Sequence, residues 1–78
     1  MKIKWKKWSG QHESFGYTFD QGDYKGGVYD MDGDGVIVEI EHKIHGKWTF
    51  FLKAFYCGVA RNDVRHGKAT IEQALRFV

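Results

Sequence analysis

The chain has 78 residues, enough for one domain with a core near the lower size limit for unassisted folding. Hydrophobic residues make up 42%, charged residues 28% and aromatics 17%, with no proline, which excludes a disordered chain and favours a small packed domain. The net charge is only +2, the single cysteine excludes an intrachain disulfide, and no apolar run suits a signal peptide or a membrane span, so a cytoplasmic protein is expected.

Alternation of period two predicts strands along most of the chain. In the first, Ile3 and Trp5 share one face and Lys2, Lys4 and Lys6 the other. A turn at Ser9 and Gly10 leads to a second, in which Phe15, Tyr17 and Phe19 alternate with Ser14, Gly16 and Thr18. Residues 20–27 read as a polar loop, residues 28–31 as a third strand, and Asp32-Gly33-Asp34-Gly35 as a hairpin turn. A fourth strand over Val36–Ile44 and a fifth over Lys47–Tyr56 follow.

Parity argues the pairing of the last two strands, because a one-residue slip moves every side chain to the opposite face. An odd-length loop at His45-Gly46-Lys47 sets Ile44 opposite Trp48, His42 opposite Phe50, Ile40 opposite Leu52, Val38 opposite Ala54 and Val36 opposite Tyr56, making that face the core. It also sets Glu39 opposite Lys53 on the outer face. An even-length loop places Glu41 beside Phe50 and Val38 beside Lys53, so the odd register is the expectation.

From residue 69 the period changes. Ile71, Ala74, Leu75 and Val78 fall on one helical stripe, and Thr70 with Gln73 has the form of a capping box. A helix over 69–78 is expected, while 58–68 fits either a loop or a helical turn broken at Gly67. The fold class is α+β, an antiparallel meander of about five strands with one C-terminal helix packed on it, and a small five-stranded barrel with a terminal helix is the alternative.

Charge is segregated along the chain. Residues 1–19 hold four lysines against Glu13, residues 20–41 hold seven acids against Lys25, and residues 42–78 hold seven bases against Asp63 and Glu72. Lys2, Lys4, Lys6 and Lys7 beside Trp8, extended by Arg61, Arg65 and Lys68, form a candidate nucleic-acid surface that combines phosphate contacts with a stacking ring. Lysines along an edge strand equally protect a sheet from edge-to-edge aggregation, and both readings stand.

Asp30, Asp32, Asp34, Gly35, Ile37 and Glu41 resemble the calcium loop of the EF-hand family at its first, third, fifth, sixth, eighth and twelfth positions. The β-branched residues after Gly35 instead predict a strand, which carries Glu41 roughly 20 Å beyond the turn. An acidic hairpin turn is therefore the expectation, with no metal. Glu41, His42 and His45 do not share a strand face, and Cys57 has no orienting acid beside it. No cofactor is expected.

Phe51 and Phe55 should turn, with Ile37 and Val28, to the face opposite Phe50 and Leu52, where a single helix leaves no second cover. The tryptophan-bearing N-terminal segment, the Asp32-Gly33-Asp34-Gly35 turn, the aromatic fifth strand and the closing residues 67–78 together resemble small uncharacterised proteins common in bacteriophage genomes. That resemblance spans the chain and implies a sheet carrying one helix, with an accessory role that often involves binding a host protein. It transfers no catalytic residue. The leading expectation is a non-enzymatic accessory module that binds a protein partner or itself through Phe51, Phe55 and Ile37, with nucleic-acid binding as the alternative.

Overall fold

Five strands follow one another in a single open antiparallel sheet, in the order β1 (Lys6–Ser9), β2 (Phe15–Gln21), β3 (Tyr24–Asp30), β4 (Val36–Ile44) and β5 (Lys47–Tyr56), and α1 (Ala60–Ala74) packs on one face. The computed structural model describes residues 1–10, 15–31, 35–56 and 60–78, with the backbone alone for 60–63. The meander is as expected. The barrel alternative is not, because β1 and β5 remain the two edges of the sheet.

Three boundaries differ from the sequence expectation. Ladder pairing of the first strand begins only at Lys6, although residues 1–6 still alternate between half-buried and exposed. The Gln21 side chain stands in for the missing partner strand there: the Lys4 N–H donates to its Oε1 at 2.6 Å, and its Nε2 donates to the Lys2 carbonyl at 2.9 Å. The expected polar loop is mostly strand, with Gln21 pairing Tyr24 across a two-residue turn. Gly26 and Gly27 hide that strand from the sequence pattern, since glycine is a weak strand former. In the sheet Gly26 pairs with Phe19 and Ile40, and a Cβ there would run into the Glu39 carbonyl and the Ile40 Cα of β4.

The third difference is the helix, which begins at Ala60 and runs through Gly67. Thr70 is therefore interior, its hydroxyl donating to the His66 carbonyl one turn back at 2.9 Å, and it caps nothing. Gly67 is a point of close approach: a Cβ built there would stand 2.7 Å from Val38 Cγ2 and 2.9 Å from Val28 Cγ1. The stripe facing the sheet is Val64, Gly67, Ile71 and Leu75, all buried, whereas Val78 lies past the helix end and is exposed. The Ile71 and Leu75 side chains seal Val28, Val36, Val38 and Ile40, each at 0% exposure, into the core with Phe19.

The hairpin of β4 and β5 carries the most informative correction. His45 (φ 51°) and Gly46 (φ 80°) form a two-residue turn with both central residues left-handed, the geometry that matches the twist of antiparallel strands. It pairs Ile44 with Lys47, Lys43 with Trp48, His42 with Thr49 and Glu41 with Phe50. That is the even register. Beyond it, Ile40 pairs with Leu52, Glu39 with Lys53, Val38 with Ala54 and Val36 with Tyr56, which is the odd one. A β-bulge at Phe51 joins the two, inserting one residue in β5 with no counterpart in β4.

Candidate functional site

The bulge decides which side chains the uncovered face presents. Following pairs across the sheet, one row of that face runs Trp8, Gly16, Tyr29, Ile37, Phe55 through all five strands. Gly16 carries no side chain, so the Trp8 and Tyr29 rings meet across it edge to face, with centroids 5.0 Å apart. Ile37 and Phe55 are direct cross-strand partners, and Phe55 is 56% exposed. The row is an apolar stripe that α1, on the opposite face, does not cover.

The next row, Lys6, Thr18, Gly27, Glu39, Lys53, is polar and bounds the stripe. Folding interleaves the charges that the sequence segregates: Glu39 pairs with Lys53 in the register, and Lys25 Nζ lies 3.5 Å from Glu41 Oε2. Beyond this row Phe50 is 58% exposed beneath Lys53, whose Nζ lies 4.9 Å from the ring centroid. Trp48 stacks under Lys25 at 4.3 Å. Burial first, then the carboxylates of Glu39 and Glu41, hold the Tyr29 phenol above its ordinary value of 10.0.

Of the expected protein-binding residues, Ile37 and Phe55 lie together on the open face, and Phe51 does not join them. As the bulged residue it turns to the helix side, where its ring meets the stacked Tyr24 and His42 rings edge on. It is nonetheless 51% exposed, because α1 does not reach that corner. Val28 is also on the helix side, fully buried. Trp48 and Phe50, expected in the core, belong to the open face. The clue to them was the His45-Gly46 pair itself, since a glycine after a residue that tolerates a left-handed backbone is a two-residue hairpin signal.

The expected basic surface divides between the two faces. Lys6 and Trp8 lie on the open face, and Trp8 is part of the apolar stripe. Lys7 lies on the helix side opposite Tyr17 and lines a groove between α1 and the β1–β2 hairpin with Arg65 and Lys68. Lys2 and Lys4 are exposed ahead of β1. The Arg61 side chain lies outside the described residues.

The calcium-loop positions are likewise separated. Asp30 is buried on the helix side opposite Val36, Glu41 lies on the open face paired with Lys25, and Asp32 and Asp34 lie outside the described residues. Cys57 is also outside them. No helix among the described residues is long and apolar enough to cross a membrane. In comparisons with known proteins, no family model, curated protein or solved structure matches this chain.

Proposed function

We propose that this protein is a non-enzymatic accessory module that acts by contact, binding a protein partner or a second copy of itself through the aromatic face of its sheet. The observation that supports this reading is the apolar row Trp8, Tyr29, Ile37, Phe55 across all five strands of a face with no covering element among the described residues. An apolar row that is half-buried at Trp8, Tyr29 and Ile37 and exposed at Phe55, edged by a polar row, has the anatomy of an interface with a dry centre and a wet rim. The interleaved lysines and glutamates set the orientation of a partner locally, by matching individual charges, and do not steer it with a long-range field.

The experiment combines sedimentation velocity over a concentration series with affinity capture after nuclease treatment, on the native protein and on Phe50→Thr/Phe55→Thr. Self-association, or a retained protein partner, that disappears in the folded variant supports the reading. Association unchanged by the variant, or no association of either kind in the native protein, overturns it.

A further inference from the structure

The groove between α1 and the β1–β2 hairpin lies on the other side of the sheet and is independent of the aromatic face. It encloses about 890 Å³. Among the described residues it lies where α1, packed over β3 and β4, leaves the helix-side surface of β1 and β2 at their outer end. Phe15 and Tyr17 line it from β2, and among the described residues three cations line it: Lys7 from β1, with Arg65 and Lys68 one turn apart on α1.

The lysine at its inner end is positioned. Lys68 Nζ lies 4.1 Å from the Tyr17 ring centroid and 5.4 Å from that of Trp5, so two aromatic faces hold its ammonium while leaving its charge intact. Among the described lining residues Glu72 is the one acid, and its Oε1 is drawn aside to accept the Trp5 indole N–H at 3.0 Å. Glu39 and Glu41 are on the opposite face, and Asp30, beside Phe15 on the helix side, is buried and does not line the groove.

We infer that the groove binds single-stranded nucleic acid, with Lys7, Arg65 and Lys68 contacting phosphates and the Phe15 ring, beside the Tyr17 ring that holds Lys68, accepting a base. Charge complementarity favours a polyanion, and the adjoining rings favour a polyanion that carries exposed planar bases. Lys7 stands on the β1 wall and Arg65 and Lys68 on the α1 wall, and cations on both walls of an open groove suit a phosphate chain running between them. A duplex stacks its bases inward and has no ring to offer the groove.

The test is fluorescence anisotropy of an oligothymidylate about 15 nucleotides long, between about 50 mM and about 200 mM salt, with the folded state of each variant checked by thermal melting. Arg65→Ala and Lys68→Gln together should weaken binding at least about tenfold and reduce the slope of log affinity against log salt by about 1.4, or about 0.7 for each lost phosphate contact. Arg65→Ala alone, at an exposed position, should give about half that slope change if the double variant fails to fold. Glu72→Gln keeps an acceptor for Trp5 and removes the acid, so it should tighten binding several-fold, which a merely destabilised protein would not show. Absence of binding at low salt, equal affinity for a duplex of the same length, displacement of the strand by equimolar thymidine monophosphate, or a loss on Lys2→Ala/Lys4→Ala matching that of the groove variants would overturn the inference.

Discussion

The two faces of this sheet are built from alternate residues of the same strands and have opposite fates. On the helix side, Val28, Val38 and Ile40 are sealed by Gly67, Ile71 and Leu75. One residue along each strand, Tyr29, Ile37 and Glu39 form part of a face left open. The sealed face holds the core cluster of a 78-residue chain with a single cysteine, while the open face carries aromatic side chains that are half-buried or exposed. On the proposed reading, stability and contact fall to different residues of one strand.

The sharpest way to break this division is to damage the sealed side. Ile71→Ala removes a side chain with 0% exposure from the centre of the helix stripe, and should cost about 2 to 5 kcal/mol in chemical denaturation, enough to unfold much of a domain this small. Gly67→Ala has the more diagnostic sign. In an ordinary helix interior it would stabilise by up to about 1 kcal/mol, but here the added Cβ meets Val38 and Val28 at under 3 Å, so a loss of about 1 to 3 kcal/mol is expected. A stabilised variant would mean that the helix does not sit on the sheet at this point.

Deleting Phe51 should cost less. The turn register and the core register differ by this one residue, so its removal lets Glu41 with Phe50 and Ile40 with Leu52 become consecutive pairs and keeps both. The loss should be about 0.5 to 1.5 kcal/mol, from the edge contacts with Tyr24 and His42, with the circular dichroism spectrum retained.

The smallest effect concerns Tyr29 on the open face. Its phenol is held above its ordinary value, so in alkali the unfolded chain ionises first and gains stability that the folded chain lacks. Folding stability should therefore fall as pH rises past about 10, and Tyr29→Phe should remove that part of the decline when denaturation midpoints are compared between about pH 9 and about pH 11.

Much of this fold was legible because period-two alternation is strong in the fourth and fifth strands, whose ends were placed to the residue, and in the second, which runs two residues past Phe19 to Gln21. Glycines concealed the rest. Gly26 and Gly27 turned half of β3 into an apparent loop, and Gly67 appeared to break a helix that uses it to approach the sheet. Parity failed for a different reason: burial selects one register for β4 and β5, turn geometry selects the other, and a pattern that assumes a single register cannot contain a bulge. The cost fell on the site, where Phe51 changed sides and Trp48 and Phe50 took its place. Ile37 and Phe55 were legible because they lie on the stretch where burial alone sets the pairing. Trp8 was visible only as a neighbour of lysines, since its meeting with Tyr29 depends on two strand pairings and an intervening glycine.

The claim that the open face serves contact and not folding is tested most directly by the unfolding free energy of Phe50→Thr/Phe55→Thr, measured by chemical denaturation of dilute protein. Both rings are more than half exposed and threonine keeps the strand preference, so the account predicts a loss of about 1 kcal/mol or less for each, with a folded monomer. A loss of about 3 to 5 kcal/mol for either ring, the cost of truncating a phenylalanine in a sealed core, would contradict it.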